Sequence, residues 1–190
     1  MKVYKLTGRH IASNTYVVLN GGNAIIVDAG AKLQDVLNVL DELGDINVSA
    51  VLLTHSHFDH VLHLNDYIKH FDCNVYIDIK GINNLKDPRL NASELFRMPI
   101  SITNKRIMPL PENTITIGDI VVDIVRTHGH TNDSVCYVID DMIFTGDTIF
   151  ADGVGRVDLP TSSISDMQES LLKLEKYNHI IHYPGHGDDF

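Results

Sequence analysis

Thr54-His55-Ser56-His57-Phe58-Asp59-His60 is the most informative stretch of this sequence, and it directly follows a fully apolar run that predicts a buried strand. In an extended loop, His55 and His57 point to the same side, because side chains alternate with a period of two. Asp59 and His60 are expected to begin the next helix, so they can turn toward a neighbouring point. One short loop therefore offers ligands for two metal ions that lie close together.

A plainer interpretation treats this stretch as a polar helix N-terminus, in which Asp59 caps the helix and the histidines lie at the surface. A surface loop rarely concentrates three histidines and an aspartate after an apolar strand, so the metal interpretation is favoured. The chain also holds 11 histidines in 190 residues, and several of them are clustered.

Three later segments repeat the pattern of an apolar strand followed by a ligand-type residue beside Gly or Pro. They are Ile120 to Val125 before His130, Met142 to Phe144 before Asp147, and Ile180 to His182 before His186. A single histidine after a strand is more often structural. Together with the first cluster, however, the three segments predict convergence at one edge of the sheets, where glycine allows close backbone approach.

The rest of the chain alternates short strands with amphipathic helices and has no linker or internal repeat. The expected strands are Tyr16 to Leu19, Ala24 to Asp28, Ala50 to Leu53, Val75 to Ile77, and two hairpins turning at Gly118-Asp119 and Asp140-Asp141. The expected helices are Leu33 to Leu43, His60 to His70, and one opened by a Ser165–Gln168 capping box and running through Tyr177. Short helical pieces and loops are expected over 80–108. Two facing sheets, each covered outside by helices, would bury all these faces, which is an α+β architecture.

Composition places the chain among ordinary globular proteins and excludes some partners. A net charge of −10 argues against nucleic-acid binding, which needs a basic patch. No apolar run approaches the roughly 20 residues of a membrane helix, and Met1 to His10 carries no secretory signal. Cys73 and Cys136 imply no disulfide framework and are expected to be small core residues, so a cytoplasmic location is expected. We expect one domain over residues 1–190; the oligomeric state is left open.

The H-x-H-x-D-H string resembles the signature of the metallo-β-lactamase superfamily. The later Gly-His130-Thr, Thr-Gly-Asp147 and Pro-Gly-His186 segments resemble its remaining ligand motifs in the same order, and the resemblance extends from Ile26 to Gly187. It implies a four-layer αββα sandwich with two metal sites at the sheet edge.

The same resemblance implies a distribution of ligands over two divalent ions. The first ion would be held by His55, His57 and His130, the second by Asp59, His60 and His186, and Asp147 would bridge both. Imidazole and carboxylate ligands suit zinc, and iron or manganese also fits. Asp59 and Asp147 are the candidate catalytic carboxylates.

Within the superfamily, the sequence looks most like small glyoxalase II-like thioesterases. Gly155 to Pro160 resembles their Gly-Arg-Thr-Asp-Leu-Pro segment, and Asp87 to Ser93 resembles their insertion loop. This implies hydrolysis of a small acyl-thiol by metal-activated water, with a thiolate that leaves without a strong acid. Glyoxalase II proper has a further helical domain that holds much of the glutathione, whereas this sequence ends at Phe190, so whether glutathione is the thiol is left open.

Other functions stay open on the same scaffold. A persulfide dioxygenase would hold one iron by His55, His130 and Asp147, but such enzymes tend to carry Cys where this chain has Val154. A lactonase is a further alternative. A metal-stabilised binding module without catalysis would unfold when His55 is replaced by alanine.

Three further features are predicted near the site. Asp28 is either a hydrogen-bond partner of a metal histidine or a strand-end turn residue. His63 is expected on a solvated helix face rather than behind the ligands. Arg156 and Asp158 are expected to form a structural ion pair rather than to touch substrate.

Overall fold

The structure is a computed structural model that describes residues 1–9 and 11–190, so His10 of the N-terminal stretch lies outside the described residues. Its first sheet has six strands in sequential order, antiparallel over the first three and parallel from the third onward. They are β1 (Lys2–Thr7), β2 (Asn14–Asn20), β3 (Asn23–Val27), β4 (Asn47–Leu52), β5 (Asn74–Ile77) and β6 (Ile107–Pro109).

The second sheet contains both predicted hairpins. Its strands are β7 (Thr114–Ile117), β8 (Ile120–Arg126), β9 (Val135–Ile139), β10 (Met142–Gly146) and β13 (Ile181–Pro184). They lie in the order β7-β8-β9-β10-β13, with β10 and β13 parallel and the other neighbours antiparallel. A short separate hairpin consists of β11 (Ile149–Phe150) and β12 (Gly153–Val154).

Five helices complete the described part of the chain. They are α1 (Leu33–Leu43), α2 (Phe58–Val61), α3 (Leu64–Phe71), α4 (Gly81–Asn84) and α5 (Ile164–Leu174), the last continued by a 3₁₀ turn, Glu175–Tyr177. None of the helices in the described ranges is long and apolar enough to cross a membrane.

Strand alternation divides the apolar side chains among three cores, which confirms the four layers. In β4, Val51 faces the helices α1 to α3, whereas Ala50 and Leu52 face the second sheet. In β9, Tyr137 faces the first sheet and Cys136 faces α5. The order of layers is therefore helices, sheet, sheet, helix, as the sequence predicts.

The predicted helix from His60 to His70 is wrong in its continuity, because α2 ends at Val61 and α3 begins at Leu64. The backbone of Ala29 fills this break. Its N–H donates to His60 O at 2.7 Å, and its carbonyl accepts from His63 N at 3.0 Å. A tertiary contact thus takes the backbone groups that would have continued the helix.

Two other local features differ from the sequence-based expectation. The cap of α5 is Ser163 rather than Ser165, because the Ser163 hydroxyl accepts from Asp166 N and its own N–H donates to Gly129 O. The edge strand β1 was not predicted, since its residues are only partly buried and its apolar pattern is weak.

The topology brings the predicted ligand segments to one edge. The strands β8, β10 and β13 run in the same direction, so their carboxyl ends lie together and are followed by His130, Asp147 and His186. The carboxyl end of β4 joins this edge from the first sheet, where Val135 N donates to Thr54 O at 2.9 Å.

This edge packs closely on α5 at Gly129. Its φ is +146°, and an added Cβ would lie 2.5 Å from Met167 N. We expect Gly129→Ala to lower the free energy of unfolding by roughly 2–4 kcal/mol through strain and overpacking. Thermal unfolding should then show a loss of roughly 4–16 °C in Tm for a chain of this size.

Gly153→Ala is the matched control, because nothing lies within 4 Å of the position of its Cβ and its φ is not positive. Equal Tm values for the two variants would contradict the packing described for Gly129.

Candidate metal centre

The structure brings all seven predicted ligand side chains together. Their nitrogen and oxygen atoms form three overlapping groups in which all atoms lie within 4.8 Å of one another. The groups are His55, His57 and His130; His55, His60 and Asp147; and Asp59, His60 and His186. The first and third groups coincide with the two ligand sets that the family resemblance implies.

Asp147 lies between the two outer groups. Its Oδ2 is 3.4 Å from His130 Nε2 and 3.4 Å from His186 Nε2, and its Oδ1 is 3.3 Å from His60 Nε2. This buried carboxylate therefore faces both groups at once, which is the position expected of a bridging ligand.

Asp28 orients two of the imidazoles from behind. Its Oδ2 lies 2.8 Å from His60 Nδ1 and also accepts the Thr54 hydroxyl at 2.8 Å, while its Oδ1 accepts from Thr54 N. The Thr54 Oγ1 in turn lies 3.1 Å from His55 Nδ1. The structure thus supports the hydrogen-bonding interpretation of Asp28, and it adds Thr54, for which no role was predicted.

Backbone carbonyls orient two further rings. His130 Nδ1 lies 2.8 Å from Arg156 O, and His186 Nδ1 lies 3.2 Å from Ala12 O. With Nδ1–H donated to oxygen, the Nε2 atom of each ring, in its neutral form, has a lone pair that points toward the shared centre.

The donor set fits divalent cations. His55 Nε2 is buried and has no hydrogen-bond partner among the described residues. His57 Nε2 is likewise buried without a hydrogen-bond partner among the described residues, and His57 Nδ1 lies 2.8 Å from His130 Nε2. Nitrogen atoms that converge in this way can be stabilised by a cation, and nitrogen with carboxylate oxygen suits zinc, iron or manganese.

The pKa values of the buried histidines in the cluster shift in opposite directions. Burial lowers the pKa of His55 well below its usual range, and burial together with His130 lowers the pKa of His57 to about 3. Burial opposes charge on His60 as well, but the carboxylates around it, led by Asp147, raise its pKa well above the usual value.

The pKa values of the two carboxylates are lowered, whereas that of His60 is raised. Burial alone would raise the pKa of Asp147, but His60 and His186 lower it well below the usual carboxyl range. The same balance, with burial opposed by His60 and His186, lowers the pKa of Asp59. Both carboxylates are therefore ionised near neutral pH.

Gly185 shows why glycine adjoins a ligand. A Cβ at this position would collide with Asp147 Oδ1 and approach His60 Cε1 to 2.8 Å. The absence of a side chain lets the loop after β13 bring His186 close to the other ligands.

A cleft of about 340 Å³ opens over the cluster. Its polar floor consists of His57, Asp59, His130, Asp147 and His186. Its apolar lining consists of Ile11, Phe58, Ala92, Phe96, Phe150 and Leu159. Phe58, Ala92 and Leu159 lie in stretches that resemble family motifs, but none of the six apolar residues was predicted to line the site, since apolar residues in loops and short elements give no periodic signal.

The neighbouring predictions have mixed outcomes. Arg156 pairs with Asp158 through two contacts of 2.6 and 2.8 Å, as predicted, but Arg156 also lines the cleft. His63 precedes α3 and lies 3.8 Å from Asp66 in its first turn. Cys73 and Cys136 are buried free thiols within the cores.

Comparison with known proteins agrees with this geometry. The Metallo-beta-lactamase superfamily profile matches residues 8–186. A probable metallo-hydrolase of Methanocaldococcus jannaschii is 33% identical over an alignment of 195 positions, which covers 98% of this chain and 93% of that relative.

Two crystal structures are similar over nearly the whole chain. BLEG-1, a B3 metallo-beta-lactamase, has a TM-score of 0.92 and 28% identity, covering 100% of this chain and 93% of its own. TTHA1623, solved in a di-iron-bound form, has a TM-score of 0.87 and 26% identity, and the match covers 98% of this chain and 93% of the TTHA1623 chain. With its strand-end histidines and aspartates gathered under one cleft, this chain belongs to the metallo-β-lactamase superfamily.

Proposed function

We propose that this protein is a hydrolase that binds two divalent metal ions and cleaves a small acyl thioester. The observation that carries the proposal is the convergence of two complete triads of metal-ligating side chains, with Asp147 facing both. One triad would suffice for a single ion. The second triad and the shared carboxylate favour a pair.

The assignment of ligands follows the groups in the structure. His55, His57 and His130 would hold one ion, Asp59, His60 and His186 the other, and Asp147 both. When bound, divalent ions lower the pKa of a coordinated water from 15.7 toward roughly 7 and polarise a carbonyl oxygen. The di-iron form of TTHA1623 supports two ions, and the donor types allow zinc, iron or manganese.

The residues of the chain contribute orientation and charge. Asp28 and Thr54 fix the tautomer and the ring direction of His55 and His60, so their Nε2 atoms need no reorganisation when the site is loaded. Asp59 and Asp147 remain ionised at the floor of the cleft, where a carboxylate oxygen can accept a proton from a nucleophilic water.

The composition of the cleft favours a thioester over an ester or an amide. Among the described residues that line it, Asp59 and Asp147 are the only carboxyl groups, and every histidine is a proposed ligand. Departure of an alkoxide or an amine requires a proton from a positioned acid. A thiolate leaves without one, because the pKa of a thiol is about 8.5.

The alternatives fit these observations less well. A mononuclear persulfide dioxygenase that uses His55, His130 and Asp147 would leave the group of Asp59, His60 and His186 without a role. A lactonase would need a proton for its alkoxide. A binding module without catalysis does not account for a cleft that opens directly over the ligands.

Replacement of the shared carboxylate tests the proposed reaction. We expect Asp147→Asn to lower kcat for acyl thioesters by about 100-fold or more, because it removes the charge that faces both groups. Release of free thiol, measured with a colorimetric thiol reagent on zinc- and iron-loaded protein, reports this rate.

Asp152→Asn is the control, since Asp152 is an exposed aspartate in the turn between β11 and β12. Unchanged thioester turnover in Asp147→Asn would contradict the mechanism. Oxygen uptake with a thiol persulfide, together with one iron per chain, would favour the persulfide dioxygenase function instead.

Replacement of Asp28 tests the role of ring orientation in metal binding. Asp28→Asn keeps the shape but places an amide N–H where Asp28 accepts hydrogen bonds, so we expect metal affinity to fall by about 10- to 100-fold. Competition with a chromophoric zinc chelator measures this affinity.

Asp78→Asn is a matched control, because Asp78 is equally buried but pairs with Arg126 away from the ligands. Its metal affinity should equal that of the wild type. Equal affinities for Asp28→Asn and the wild type would show that the hydrogen bonds around Asp28 do not act on the metal centre.

A further inference from the structure

The loop from Asn91 to Met98 reaches the cleft from a fixed base. Asn91 and Ser93 are fully buried, and both form hydrogen bonds with the backbone of Ile100. Asn91 Nδ2 donates to the Ile100 carbonyl at 3.0 Å, and the Ile100 N–H donates to Ser93 Oγ at 3.0 Å. Asn91 O also accepts from Phe58 N at 3.0 Å. The loop is therefore tied to the helix that carries Asp59 and His60.

The tip of this loop exposes large apolar side chains. Leu95, Phe96 and Met98 are 63%, 43% and 38% exposed. Of these three side chains, Phe96 lines the cleft, and its ring packs on Phe58 with centroids 5.0 Å apart. An exposed aromatic ring beside a polar centre needs a reason, and an apolar ligand would supply one.

Other residues of the lining are apolar as well. Phe150 lies edge-on to His186 at 6.2 Å between ring centroids, and Leu159 also lines the cleft. Arg156 is the cationic side chain of this lining, and its guanidinium is already paired with the carboxylate of Asp158. The walls thus offer apolar surface and no unpaired cation among the residues described.

Position then decides which part of a substrate meets these walls. The reacting carbonyl must lie at the polar floor near Asp59 and Asp147, so a group carried by the carbonyl carbon can lie against the apolar lining that includes Phe96 and Phe150. The volume of about 340 Å³ is near the lower end of the range for ligand pockets, so the attached group must be compact.

We propose that the cleft selects acyl thioesters with a compact apolar acyl group, and that Phe96 determines this specificity. The inference rests on the proposed function and adds the substrate class. Each methylene buried against the walls should raise kcat/KM about fourfold until the cleft is filled.

The test uses thioesters of one small neutral thiol, N-acetylcysteamine, with the metal-loaded full chain. The acyl groups are acetyl, butanoyl, 4-methylpentanoyl and succinyl, the last two being similar in shape but different in charge. We expect kcat/KM to rise from acetyl to 4-methylpentanoyl and to be at least 10-fold lower for succinyl than for 4-methylpentanoyl.

Phe96→Ala should lower kcat/KM for 4-methylpentanoyl about 10-fold or more and leave acetyl nearly unchanged, whereas Leu95→Ala, a control at the same loop tip, should change neither. Equal kcat/KM values for acetyl, butanoyl and 4-methylpentanoyl would overturn the proposal. So would equal losses for all substrates in Phe96→Ala, or faster turnover of succinyl, which would mean that Arg156 binds an anionic acyl group.

Complete lack of thioester turnover would instead contradict the proposed function, and binding then decides the inference separately. In calorimetry with the metal-loaded chain, 4-methylpentanoate should bind more tightly than acetate, and Phe96→Ala should abolish the difference. Equal affinities of the wild type for the two carboxylates would overturn the selection of apolar groups.

Discussion

Five imidazoles and two carboxylates, most of them buried, converge at one edge of two packed sheets, and the rest of the structure depends on this constraint. Polar groups of this kind are costly to bury unless hydrogen bonds or cations satisfy them. Here hydrogen bonds satisfy the outward-facing nitrogens of His55, His60, His130 and His186, and the inward-facing atoms converge on one another. Protons on His60 and His186 balance the carboxylates in the absence of metal, so metal binding would compete with protonation.

The sandwich provides this arrangement because strand ends are rigid. Three strands of the second sheet run in one direction and deliver a ligand each, and β4 delivers the histidine-rich loop from the first sheet. Cross-sheet bonds hold the two edges in register, among them the Tyr137 hydroxyl donating to Leu53 O at 2.6 Å. The cleft residues, in contrast, come from loops and short elements, which can vary without disturbing the ligands.

The convergence of the candidate ligands could be predicted from the sequence because each segment follows an apolar strand, and strand ends have few possible positions. The layers could be predicted because β4 and β9 contain continuous apolar runs, and a strand that is apolar on both faces must be covered on both sides. The break between α2 and α3 could not, since it depends on the backbone of Ala29, which is distant in sequence. The contacts of Thr54 and Phe96 were also hidden, because neither residue belongs to a periodic pattern. That residues 1–190 form one domain stays a prediction.

A rigid, charged floor thus adjoins an apolar lining, and the proposed function depends on two metal ions at that floor. Anomalous X-ray diffraction at the zinc absorption edge, from crystals of the zinc-loaded protein, locates bound zinc. We expect two anomalous peaks, one among His55, His57 and His130 and one among Asp59, His60 and His186, with Asp147 between them. A lone peak, or peaks bound by other residues, would contradict the proposed pair of ions.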